Sequence, residues 1–83
     1  MTLINAWYGV DGNGSDNGGQ VQEHLRRLLR EHGHVHIPAN QFGLYGFDPV
    51  YGVHKVTGLH VRCNGQEHHL RAPEGQDFNW YGN

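Results

Sequence analysis

The chain has 83 residues, thirteen of them glycine, with a formal net charge of −2 and eight histidines. That length predicts one domain, residues 1–83, with a small core, and two Trp, four Tyr and three Phe argue against disorder. The slight acidity provides no broad basic field for a phosphate backbone, and no segment is long and apolar enough to span a membrane, so roles in nucleic-acid binding and membrane spanning are set aside.

The first element is TLINAWYGV (2–10). Leu3, Asn5, Trp7 and Gly9 alternate with Ile4, Ala6, Tyr8 and Val10, which predicts a strand buried on one face and partly covered on the other. The opening residues lack a basic stretch followed by an apolar run, so no secretory signal is expected. The cytoplasm is the default compartment, with secretion left open.

DGNGSDNGG (11–19) reads as a loop. A calcium loop of the EF-hand kind needs Gly at its sixth position and Glu at its twelfth, where this chain has Asp16 and Gln22. A phosphate cradle at the following helix is weakened by Asp11 and Asp16, which repel anions.

QVQEHLRRLLREHG (20–33) predicts the one amphipathic helix. Val21, Leu25, Leu28, Leu29 and His32 form its stripe, Asp16 or Asn17 caps its start, and Gly33 closes it. Glu23 with Arg27, and Arg27 with Glu31, have the spacing for modest ion pairs. HVHIPA (34–39) predicts a short strand with Val35 and Ile37 on one face and His34 and His36 on the other.

An aromatic loop follows, GLYGFDPVYGVHK (43–55), with Asp48-Pro49 and Gly52 expected to set its turn. Asn64-Gly65 between strand-like runs then predicts a two-residue hairpin. Its register pairs Cys63 with Gln66, Val61 with His68 and Leu59 with Leu70 on one face, and Arg62 with Glu67 and His60 with His69 on the other. Glu74–Gln76 makes another turn, and DFNWYG (77–82) a last strand. The expectation is a β-rich fold, all-β or α+β. It is a small antiparallel sheet or sandwich of about five strands with one amphipathic helix. Cys63 is the only cysteine, which rules out an internal disulfide, and it is expected as a small buried hydrophobe.

The chain resembles a domain of unknown function found at the C-terminus of mitochondrial J-domain co-chaperones and alone in small bacterial and fungal proteins. The positions that carry the likeness are Tyr8 and Gly9, then Gly46, Asp48, Pro49, Gly52 and Lys55, then Gly65, then Glu74 and Gly75. Phe47 between Gly46 and Asp48 departs from the pattern. The likeness implies a β-rich interaction domain and no catalytic residues. The J domain itself is absent, so co-chaperone activity does not carry over.

Three functional readings compete. The first is a non-catalytic binding module that contacts a protein partner or a carbohydrate through Trp7, Tyr8, Asn40, Phe42, Tyr45, Asp48, Tyr51, Trp80 and Tyr81, because aromatic plates beside polar groups suit both. The second is a metal-dependent hydrolase. Here His34 and His36, two residues apart on one strand face, hold zinc, with His32 as a third ligand and His60 with His69 as a second candidate pair. The third is a structural subunit that self-assembles, and the many aromatics on a small core favour a homo-oligomer in any case.

Overall fold

The computed structural model describes residues 1–10, 14–47 and 52–82. Asp48, Pro49 and Tyr51, at the centre of the expected aromatic turn, lie outside the described residues. The fold is β-rich: β1 (Thr2–Gly9), α1 (Gln20–His32), β2 (Val35–Ile37), α2 (Gln41–Tyr45), β3 (Val56–Cys63), β4 (Gln66–Pro73) and β5 (Phe78–Trp80). The strands form two antiparallel sheets, one of three strands in the order β1-β3-β4 and one made of β2 and β5.

The β3–β4 hairpin is the most local unit, and every predicted pair is present, from Cys63 opposite Gln66 to Leu59 opposite Leu70. Asn64 and Gly65 both have positive φ, 54° and 78°, the backbone of a turn whose twist matches that of the strands it joins. β1 joins the far side of β3, and its register slips between Leu3 and Asn5. The extra residue at this bulge brings Leu3 onto the buried face with Ala6 and Tyr8, leaving Asn5 and Trp7 outward. The expected alternation of β1 therefore holds from Asn5 onward and fails at Leu3.

In α1 the residue before the first turn is Gly19, which has no side chain to cap with. Asp16 does that work from further back: its Oδ1 accepts the Gln22 N–H at 3.0 Å and its Oδ2 accepts Gln22 Nε2 at 2.8 Å. Val21 and Leu25 are buried, Leu28 and Leu29 half-buried, and His32 is exposed, so the stripe fades toward the C-terminus. Arg27 meets His24 Nδ1 at 3.1 Å, and among the described residues neither Glu23 nor Glu31 pairs with it.

The first residues of the expected aromatic loop are instead a second helix. In α2, Asn40 Oδ1 accepts the Gly43 N–H at 2.9 Å, and the end residues Gln41 and Tyr45 are buried. A five-residue helix with a central glycine has little intrinsic stability, so its buried ends must hold it. Gln41 Nε2 donates to the Ala72 carbonyl at 2.9 Å, Thr57 Oγ1 donates to Gln41 Oε1 at 2.7 Å, and the Tyr45 hydroxyl lies 2.9 Å from Thr57 Oγ1.

The core fills the space between the inner face of the three-stranded sheet, α1 and β2. It gathers Leu3, Ala6, Tyr8, Val21, Leu25, Val35, Ile37, Tyr45, Leu59, Val61 and Ala72. Two expected surface residues are corrected here. Tyr8 and Tyr45 are 0% and 1% exposed, with ring centroids 4.8 Å apart, and Phe47 meets Tyr8 edge-on at 5.6 Å. Their rings are core because each hydroxyl finds a partner inside: Tyr8 donates to Glu74 Oε2 at 2.7 Å, and Tyr45 pairs with Thr57. Cys63, expected to be buried, is only half-buried.

Two tests follow from this packing. Thr57→Val keeps the shape but strips Gln41 Oε1 and Tyr45 Oη of their shared partner, and we expect a loss of about 2 kcal/mol or more, read as a lower urea midpoint at unchanged slope. Burial also pushes the Tyr45 phenol well above its usual range. The folded state then holds the proton more tightly than the unfolded one, so stability is intact below a phenol's ordinary pKa of about 10 and falls above it. Tyr45→Phe should remove that component of alkaline unfolding, which pH-jump denaturation curves will show.

Candidate functional site

Side-chain parity along the three-stranded sheet determines what its outer face carries. Once the bulge has placed Ala6 and Tyr8 inside, Asn5 and Trp7 must point out. The pairing then sets two rows across the three strands. One row is Trp7, Gly58 and Arg71; the next is Asn5, His60 and His69. Together they border a groove of about 350 Å³.

Gly58 explains the shape of that groove. A Cβ at Gly58 would overlap the Trp7 indole at Cε2, Cζ2 and Nε1, all closer than 3.0 Å. A Cβ at Gly14 would overlap it at Cε3 and Cδ2, again closer than 3.0 Å. The indole therefore lies against two bare backbones and fills the space their side chains would need. Trp7 remains half-buried, so part of the ring faces solvent. A rigid aromatic surface beside polar side chains can stack a flat or C–H-rich ring and hydrogen-bond its edge.

The histidines of the second row stack face to face, with centroids 4.2 Å apart and planes 17° from parallel. Beyond them, Glu67 lies between two cationic or proton-bearing groups: its Oε1 is 2.6 Å from His60 Nε2 and its Oε2 is 3.7 Å from Arg62 Nη2. The His60 approach is short but lacks the alignment of a hydrogen bond, so Nε2 is buried without an aligned partner. The expected Arg62–Glu67 cross-strand pair is present.

The remaining predicted site residues are dispersed. Asn40 is spent on the cap of α2, and Phe42 on the same helix is 52% exposed. Trp80 packs partly on the core, with its ring 5.0 Å from His68. Tyr81 is 64% exposed and stacks on His34 at 4.3 Å. Asp48 and Tyr51 lie outside the described residues. Of the seven expected contact residues that are described, only Trp7 borders the groove.

The proposed metal ligands His34 and His36 do share a face, as β2 requires, but Asn79 of β5 reaches between them. Asn79 Oδ1 lies 2.9 Å from His34 Nε2 and 2.8 Å from His36 Nδ1, while His34 Nδ1 faces the His32 carbonyl at 3.2 Å. Asn79 Oδ1 is thus within hydrogen-bonding distance of both rings, and among the described residues no three His, Cys, Asp or Glu groups are placed to hold a metal ion. His32 stands 4.5 Å from His36, centroid to centroid, without completing such a set.

Asn5, Gly58, His69 and Arg71 were not among the expected contact residues. The hairpin register signals that His60 and His69 are neighbours, but only the docking of β1 on β3 places Trp7 beside Gly58. Comparison with protein-family models, with curated proteins and with solved structures finds no match. The likeness to the co-chaperone C-terminal domain thus rests on the turn and strand-end residues quoted for it.

The Trp7–Gly58 contact makes a direct prediction. Gly58→Ala should destabilise the chain by more than about 1 kcal/mol because the indole is displaced, whereas in a Trp7→Ala background the same change should cost nothing or stabilise, since Ala suits a strand better than Gly. A double-mutant cycle in urea measures the coupling, and additive effects would show that the indole does not depend on the bare backbone.

Proposed function

We propose that the chain is a non-catalytic binding module and that it takes a carbohydrate on the outer face of its three-stranded sheet, with Trp7 as the stacking plate. The observation that supports this reading is the indole laid against Gly58 and Gly14 at the edge of a groove that mixes apolar lining with a few polar side chains. A sugar ring offers a C–H face to an aromatic plane and hydroxyls around its rim. Asn5, His60, His69 and Arg71 supply amide, imidazole and guanidinium partners for such hydroxyls.

A sugar is favoured over a protein partner by size. Small-ligand sites begin at about 300 Å³, and a groove of about 350 Å³ suits one or two rings. A stable protein interface needs about 800 Å² from each partner and several clustered anchors. Among the described residues, the exposed aromatic side chains Phe42 and Tyr81 lie on α2 and just beyond β5 rather than beside Trp7.

Calorimetric titration with a panel of neutral and acidic oligosaccharides tests this reading. Trp7→Ala should weaken binding at least tenfold, about 1.4 kcal/mol, while Phe42→Ala and Tyr81→Ala leave it unchanged. Retained affinity in Trp7→Ala, with loss in either of the other two, would move the site away from the sheet face.

A further inference from the structure

We propose that the outer edge of β4 is an interface between two copies of this chain. The two β4 strands pair antiparallel about a dyad at His68, with Glu67 of each copy opposite His69 of the other. The dimer does not depend on what the outer face of the sheet binds.

The two edges of the three-stranded sheet differ. β1 and β4 are its edge strands. β1 is covered in part: Arg26 Nη2 donates to the Leu3 carbonyl at 3.2 Å, and Tyr8 exchanges main-chain hydrogen bonds with Ser15 at 2.9 and 3.0 Å. β4 runs from Gln66 to Pro73 and pairs with β3 along its whole length without a bulge. Its proline comes last, where it interrupts nothing. Among the described residues, no strand pairs with its other side. A long, regular, uncovered edge is a template for another strand.

The hairpin turn decides which groups that edge offers. In a two-residue hairpin the flanking residues, here Cys63 and Gln66, exchange both main-chain bonds, and bonded and non-bonded pairs alternate from there. Glu67 opposite Arg62, and His69 opposite His60, are therefore non-bonded pairs. Their N–H and C=O groups point away from β3, toward the open edge. Both residues are exposed, and among the described residues no main-chain bond from elsewhere in the chain reaches them.

A second copy fits this edge by symmetry. A dyad makes every contact twice, so Glu67 meets His69 of the second copy and His69 meets its Glu67. Each pair exchanges both main-chain bonds. Side chains of paired residues share a face, so each carboxylate lies across from an imidazole, an acceptor beside a donor. Glu67 already lies beside His60 and Arg62 in its own hairpin, and a carboxylate accepts from several donors at once. It is the one acidic residue of β4, so no carboxylate faces another. Edges that resist pairing typically carry lysine, and β4 has none. Its acid and its imidazole stand two residues apart, the spacing that a dyad turns into two matched pairs. Main-chain bonds supply the affinity in this mode, without a cluster of buried anchors.

The dyad stands perpendicular to the sheet. The two three-stranded sheets become one, and their outer faces look the same way. The two Trp7 backbones then lie roughly 30 Å apart, so a polymeric ligand long enough to reach both gains from the pairing.

Sedimentation of the whole chain across the micromolar to millimolar range tests the proposal, and the expected species is a dimer. His69→Pro removes an edge N–H that β3 does not use, and should weaken association at least about tenfold. Glu67→Lys should weaken it as well, and adding His69→Glu to Glu67→Lys should restore it, since the pairs are then matched with their signs exchanged. Phe42→Ala and Tyr81→Ala should leave the dimer unchanged. Hairpin amide shifts confirm that each variant is folded. A nitroxide on Cys63, the only cysteine, reads the register: three strand spacings across and four residues along put the two Cys63 backbones about 20 Å apart. A chain that stays monomeric overturns the proposal and leaves the edge open to an extended peptide of another protein. A dimer that survives His69→Pro, or that is lost in Phe42→Ala or Tyr81→Ala, overturns it by placing the interface elsewhere. A charge exchange that fails to restore association, or a label distance far from that value, overturns the pairing of Glu67 with His69.

Discussion

The inward anchoring of Tyr8 governs the rest of the molecule. Its ring is fully buried against Tyr45 and Phe47, and its hydroxyl donates to Glu74, 66 residues further along the chain. A buried phenol without that acceptor would cost about 1–3 kcal/mol, so ring and hydroxyl both bind β1 to one orientation. Side chains in a strand alternate, and with Tyr8 inside, Trp7 can only face out. The core and the outer face are thus set by the same residue. Glu74 in turn is fixed by Lys55: Glu74 Oε1 accepts the Lys55 N–H at 2.7 Å, and the Lys55 carbonyl accepts the Glu74 N–H at 3.0 Å.

Two polar clusters therefore do for this small core what a larger chain would do with more apolar area. One, Tyr8 with Glu74 and Lys55, ties β1 to the residues before β3 and after β4. The other, Tyr45 with Thr57 and Gln41, ties α2 to the hairpin. The Lys55 ammonium is 6% exposed as a residue, yet it donates to the Val53 carbonyl at 2.8 Å and lies 3.9 Å from Glu74 Oε1. Networks of this kind impose geometry as well as stability, since an alternative packing would leave buried donors without their acceptors.

The sequence shows the local elements and conceals the non-local ones, for a physical reason. Asn64-Gly65 encodes its turn in two residues, and the turn fixes every pair of the β3–β4 hairpin. The repeat of Val21, Leu25, Leu28 and Leu29 does the same for α1. The Asn40 cap alone does not reveal α2, because Gly43 lowers its propensity and the partners of its buried ends, Thr57 and Ala72, lie in β3 and β4. The Ile4 bulge is equally silent, being a product of how β1 meets β3. Aromatic identity says that Trp7, Tyr8 and Tyr45 matter but not on which face, and so core rings and an outer plate look alike in one dimension. His34 and His36 share the face that their spacing predicts, while Asn79, forty-three residues beyond His36 and within hydrogen-bonding distance of both, could not be foreseen from it.

The groove is also divided unequally along the chain. Gly58, His60, His69 and Arg71 come from one hairpin, whose contacts close a short loop and form early at little entropic cost. Trp7 arrives from an edge strand whose partner lies about fifty residues away. A hairpin with β1 detached would keep its charges and have no plate. Any ligand that stacks on Trp7 therefore recognises the docked edge strand alone, and its binding energy adds directly to the attachment of β1. Occupancy becomes a latch on the first strand, and amide exchange along Thr2–Gly9 becomes a gauge of occupancy.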